Sequence, residues 1–156
     1  MKIAILTQPL HTNYGGNLQN FALQKVLTDM GHEPVTIDRH RSIKLRTKLK
    51  LGYFKRLALH YVKGTTKPKA KDYFSGSKDV HDRMHVLRFI NTYINKTPRL
   101  YSDKAVHEAF EKNKFDAVII GSDQCWRPIY SPNISTYFLD FLESDQSIRK
   151  IAYAAS

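Results

Sequence analysis

The chain has one cysteine, Cys125, in 156 residues. No internal disulfide can form, and the sequence suits a reducing compartment. Long apolar runs are missing too: the first, Ile3 to Leu6, is four residues, too short for a signal-peptide core or a bilayer span. A cytoplasmic location is the expectation. His, Cys, Asp and Glu nowhere cluster at metal-ligand spacing, so no metal is expected. Acid is absent over one long stretch: residues 39–71 hold twelve Lys and Arg and no Asp or Glu, in a chain of net charge +11 with 25 basic against 14 acidic residues.

Such a block is matched by phosphates, anionic lipid headgroups or an acidic glycan. Within it Phe54, Leu57, Ala58, Tyr61 and Val62 recur at helical spacing, while Lys55, Arg56 and Lys63 fall on other faces. This describes a basic amphipathic helix. Two roles fit it: lying on an anionic membrane surface through residues 39–71, or covering the sheet with a solvated basic face. Nucleic acid is not expected as a partner, because neither a recognition-helix signature nor an exposed-aromatic sheet motif is present.

The length suits one domain with a real core and falls short of the ~250 residues that a two-domain α/β enzyme usually needs. Strands are predicted at 2–7, 34–38, 116–120 and in the final run from Lys150, which reads as a strand entering a small-residue turn. A helix over about 16–30 places Leu18, Phe21, Ala22, Val26 and Met30 on one face, and Gly31 stops it. A later helix, ending near Asn95 before Thr97-Pro98, has Val86, Leu87, Ile90, Tyr93 and Ile94 on its inner face. Ser102 is the N-cap expected for a short helix reaching Lys112. The order β-α-β-α-α-β predicts a Rossmann-like α/β domain, a parallel sheet with helices on both faces. A basic helical insertion at about 39–77 interrupts it, and 64–77 is linker-like.

Two loops carry the polar chemistry, each at the carboxyl end of a buried strand, where ligands bind open α/β sheets. In the first, His11 precedes Asn13-Tyr14-Gly15-Gly16-Asn17-Leu18-Gln19. A glycine pair admits a close ligand, and amides at a helix start favour an anion such as phosphate or carboxylate. The pattern lacks the glycines of a dinucleotide fingerprint, and Asp38 is only a faint echo of a ribose-binding acid. His11 is suited to donating to a phosphate or shuttling a proton. In the second loop, Ser122, Asp123 and Gln124 group a hydroxyl, a carboxylate and an amide; Asp123 fits a general base, a sugar ligand or a helix N-cap. Trp126 and Tyr130 offer faces for a sugar ring, and Arg127 adds a cation. Cys125 has no neighbouring base to activate it and reads as a packed thiol.

Residues 13–24 (Asn-Tyr-Gly-Gly-Asn-Leu-Gln-Asn-Phe-Ala-Leu-Gln), 115–124 (Phe-Asp-Ala-Val-Ile-Ile-Gly-Ser-Asp-Gln) and 151–156 (Ile-Ala-Tyr-Ala-Ala-Ser) together resemble the N-terminal half of the polysaccharide pyruvyl transferase family. The chain departs from it at Gly16, where many members have Asp, and at Cys125, where many have Val. The resemblance implies the first of two domains of glycosyltransferase-B type, so the chain is expected to be a fragment of the whole. It also implies transfer of the enolpyruvyl group of phosphoenolpyruvate, a donor substrate and not a cofactor, onto sugar hydroxyls of a cell-surface glycan or lipid-linked acceptor. Asp123 is then the catalytic candidate, and His11, Asn13, Tyr14, Gly15, Gly16, Asn17, Gln19, Ser122, Gln124, Trp126 and Arg127 the substrate-binding ones. Donor-binding Arg and His are expected mainly in the second domain, and a peripheral place at the inner face of the membrane would suit the acceptor. Competing readings are a nucleotide-sugar glycosyltransferase of the same architecture and a non-catalytic glycan- or membrane-binding module.

Overall fold

The computed structural model describes residues 1–68, 80–142 and 147–156, and within these the backbone alone of 43–50 and 80–83. The linker-like segment lies outside the described residues beyond Pro68. Four strands, β1 (Lys2–Leu6), β2 (Glu33–Thr36), β3 (Ala117–Ile120) and β4 (Arg149–Ala152), form one all-parallel sheet in the order β2-β1-β3-β4. Helix α1 (Tyr14–Asp29) joins β1 to β2, and α2 (Ile43–Lys63), α3 (Val80–Tyr93) and α4 (Asp103–Asn113) lie between β2 and β3. A short α5 (Ile134–Phe138) and a 3-10 turn at Asp140–Leu142 precede β4.

Side chains alternate across a strand, so the register Ile3–Ala117, Ala4–Val118, Ile5–Ile119, Leu6–Ile120 sorts the core into two layers. Ile3, Ile5, Ala117 and Ile119 meet Leu23 and Leu27 of α1. Ala4, Leu6, Val118 and Ile120 meet Val106 and Phe110 of α4 and Tyr137 of α5. Helices therefore cover both faces, and burial on both sides is why β1 and β3 read as unbroken apolar runs. Leu10 of the first loop packs with Val86, Ile90 and Ile94. Tyr93, expected with them, is exposed, and its ring lies against Phe21 and Phe89 at the edge of that cluster.

Capping chemistry sets the helix ends. Ser102 accepts from the Ala105 amide and starts α4 as expected. Asn13 accepts from the Gly16 amide, so α1 begins at Tyr14 and takes both glycines into its first turn. At its far end Gly31 has φ 81°, and the Gly31 and His32 amides bond back to Thr28 and Leu27.

Helix α1 does not bury its apolar stripe. Leu18, Ala22, Val26 and Met30 are exposed, while Asn17, Asn20, Gln24 and Leu27 face the sheet. The polar groups tolerate burial because each is bonded. The Asn20 and Gln24 amides both meet the fully buried Thr36 hydroxyl, at 2.9 and 2.7 Å. Gln24 also exchanges bonds with the Asn95 backbone, and Asn95 Nδ2 donates to the Pro34 carbonyl. Residues 95–100 thereby line the outer side of β2, bridging Thr36 to Lys96 and Arg39 to Leu100. At the opposite side, every residue of β4 is exposed, and among the described residues its outer edge pairs with no strand.

A buried cation ties this layer to α5. Arg39 is 4 % exposed and its Nη2 donates to Asp103 Oδ1 at 2.9 Å, while its Nε has no partner among the described residues. Burial disfavours the Asp103 carboxylate, but hydrogen bonds from Thr136, Arg39 and Asn133 and the Arg39 charge outweigh it and hold its pKa below the usual range. Asp103→Ala leaves the guanidinium uncompensated. The side chain of Asp103 is 44 % exposed, so the expected loss, about 2–3 kcal/mol, is smaller than for a sealed pair. Urea unfolding measures it, and a loss below ~0.5 kcal/mol would mean that water already serves Arg39.

Candidate functional site

The chain leaves β1 toward β2 on one side and β3 toward β4 on the other, so the strand order reverses between β1 and β3. A crevice outside the strand ends is expected there, and both sequence-predicted loops emerge from it.

The first loop is braced from within. Tyr137 Oη donates to the Thr7 carbonyl at 3.0 Å, and Asn17 Nδ2 donates to the His11 carbonyl at 2.7 Å. Asn17 is thus buried and Asn13 is the cap, while His11, Tyr14 and Gln19 remain exposed. Gly15 and Gly16 lie in the helix, with the Gly16 amide already taken by Asn13. The Asn13 amide donates to His11 Nδ1 at 3.2 Å, which leaves Nε2 to carry the ring proton. Partial desolvation, then the neighbouring His40 charge, lower the His11 pKa against the pull of Asp38.

The second loop starts at Gly121, whose φ is 133° and whose amide donates to the Leu6 carbonyl at 3.1 Å. The peptide from Gly121 to Ser122 is cis. Asp123 follows at φ 73° and begins no helix; its amide donates to Ala154 and its carbonyl accepts from Ser156. Its backbone is therefore fully engaged while its side chain is exposed. Ser122 Oγ donates to Gln19 Oε1 at 3.0 Å, joining the two loops across the point where the strand order reverses. Trp126 spends one ring face stacked on Phe138, centroids 5.9 Å apart, and its Nε1 donates to the Tyr137 carbonyl. Gln124 is half-buried, and Arg127 and Tyr130 are exposed.

Beside these stands a group that the sequence reading passed over. Asp38, buried just past β2, holds His40 Nε2 at 2.7 Å and lies 3.9 Å from Arg99 Nε. His40 is 18 % exposed, and the bond to Asp38 orients its ring with Nδ1 turned away from the carboxylate. Arg41 then donates to the Ile129 carbonyl, linking this end of β2 to the second loop. The signal was present as Asp-x-His at a strand end, but residues 39–41 were absorbed into the basic block. Asp38 is committed to His40, which leaves it unsuited to a ribose.

Cys125 is sealed from solvent and its Sγ donates to the Ser122 carbonyl. Burial, then the Asp123 charge, push its thiol up to about 11. Relative to an ordinary thiol near pH 9.0, its thiolate at pH 7.5 is about 100-fold scarcer, and alkylation should be slower by at least that factor. The same shift predicts constant stability below pH 9, where both states hold the proton, and a loss as pH rises from 9 to 11, where the unfolded thiol ionises first. The expected drop is about 2–3 kcal/mol. Cys125→Ala should flatten that part of the profile in base-dependent urea unfolding. An unchanged profile would reject the assignment.

An open groove of about 850 Å³ elsewhere is lined by Lys2, Thr28, Glu33, Lys96, Glu108 and Lys112. It lies at the amino ends of β1 and β2, opposite the loops that such sheets use for ligands. Among the described residues, no three His, Cys, Asp or Glu side chains converge as metal ligands. No protein-family model, no curated protein and no solved structure matches the chain.

Proposed function

We propose that this edge is one wall of a pyruvyl transferase, which moves the enolpyruvyl group of phosphoenolpyruvate onto two hydroxyls of a glycan to form a pyruvate ketal. The observation that carries the reading is the Ser122–Gln19 bond across the strand-order reversal, with the Asp123 carboxylate exposed beside it. Two of the three blocks that resemble the family flank one crevice.

The reaction makes definite demands. A proton must reach the donor's methylene carbon, making a methyl group and an electrophilic neighbour. The first sugar oxygen bonds to that neighbour and gives its proton to a base; the second oxygen displaces phosphate, which takes the remaining proton. Asp123 is the base in this scheme. His40, whose ring the buried Asp38 carboxylate holds through Nε2, is the acid in this scheme. The His11 Nε2–H and the Arg127 guanidinium are donors for the donor's phosphate or carboxylate. By the resemblance, this wall belongs to the first domain of a glycosyltransferase-B-like pair, working in the cytoplasm with no cofactor.

Phosphorus NMR of phosphoenolpyruvate tests the proposal, using the complete gene product and a crude lipid-linked glycan extract. Phosphate release that depends on the extract is expected. Protection from proteolysis by a nucleotide sugar and not by phosphoenolpyruvate would move the assignment to a glycosyltransferase. Glycan binding without turnover would move it to a binding module.

A further inference from the structure

Helix α2 leaves its large apolar side chains in solvent. Leu51 is 70 % exposed, Phe54 58 %, Tyr61 75 % and Val62 80 %. The spacing 51, 54, 58, 61, 62 gathers these four and Ala58 on one stripe of the helix, with Lys55 at its border. A helix that covered the sheet would turn this stripe inward, so the sheet-covering role does not hold. Tyr53, Leu57 and His60, on a different side, are half-buried.

Charge identifies what the stripe meets. The whole segment 39–71 carries no carboxylate, so the surface opposite it must be anionic. Nucleic acid would satisfy the lysines and arginines but offers nothing to Leu51 and Val62. A bilayer of anionic lipid satisfies both, phosphates at the cations and the acyl boundary at the apolar stripe. Among the described residues, no helix is long and apolar enough to cross a membrane. We infer that α2 lies in the plane of an anionic membrane surface, with Leu51, Phe54, Tyr61 and Val62 inserted.

The root of the helix gives the contact a use. Ile43 follows two residues after Arg41, whose guanidinium bonds the second loop at Ile129. Docking of α2 therefore sets the rim of the crevice at the lipid surface. If the proposed transfer is accepted, its acceptor is then a saccharide carried on a membrane lipid; this part rests on that reading.

Vesicle sedimentation tests the contact with no donor or acceptor present, so it is independent of the transferase assay. The chain should pellet with phosphatidylglycerol-containing vesicles and stay in solution with pure phosphatidylcholine. Each cation near the surface contributes about fivefold, so raising salt should weaken binding steeply. The double variant Leu51→Glu/Val62→Glu should bind at least tenfold more weakly while keeping its circular dichroism. Equal pelleting with both lipids, none with either, or anionic binding that the variant leaves intact would overturn the inference. The last result, joined to competition by duplex DNA, would assign the helix to nucleic acid.

Discussion

Gly121→Ala unfolds the protein or tears β4 from the sheet. A Cβ at this position stands 1.9 Å from the Tyr153 carbonyl oxygen and 2.9 Å from its carbon, both backbone atoms that no rotamer change can move. The φ of 133° independently excludes a side chain. Relief by sliding is blocked on both sides, since Tyr153 donates to the Ile120 carbonyl at 2.8 Å and Asp123 donates to Ala154 at 2.9 Å. The expected cost is about 4 kcal/mol or more, a large share of the ~5–15 kcal/mol that holds such a domain together. Urea unfolding followed by tryptophan fluorescence reads it directly, because Trp126 lies five residues from the lesion. A variant within about 1 kcal/mol of wild type would mean that the two backbones are not in contact.

Asp123→Asn loses transfer activity while keeping the fold. Replacing a proton acceptor by an amide removes general-base catalysis, for which about 10²–10⁴-fold in kcat is typical. The backbone tolerates this change unusually well. Asp123 sits at φ 73°, a region that Asn enters at least as readily as Asp, whereas alanine would add about 1–2 kcal/mol of strain. The carboxylate is exposed, so no buried partner is orphaned. Phosphate release is compared at saturating phosphoenolpyruvate, where a fall in kcat with little change in KM is expected. Full activity in the variant would remove Asp123 from the mechanism. His40→Gln then decides whether the acid has been misplaced as well.

The parts of this fold that were legible in the sequence depend on local rules. Ile3 to Leu6 and Ala117 to Ile120 announce themselves as doubly buried strands, and Ser102 announces a helix start because capping needs only three following residues. The face of α1 was not legible. Its inner stripe is polar, and Asn20 and Gln24 become tolerable only through Thr36 and Asn95, far away in the chain. Helix α2 shows the complementary difficulty, since a period identifies an apolar stripe but not what lies opposite it. At the site, both loops could be placed from their strands. The pairing of Asp38 with His40 was hidden by the charges around it, and the structural duties of Asn13 and Asn17 appear only once their acceptors are in place.

The hydroxyl of Thr36 also acts as a key in a lock. Strand β2 has only four residues, and a ladder so short has little of its own to forbid slippage by one step. A shift would bring Val35 or Ile37 beneath Asn20 and Gln24, replacing the one side chain able to answer both amides with hydrocarbon. The buried Asn20 amide would then go unanswered and Gln24 would keep only its bonds to the Asn95 backbone, at about 1–3 kcal/mol for each partner lost. The wrong alignment is excluded less by what it fails to bury than by what it would strand, and the polar stripe of α1 proofreads the edge of the sheet.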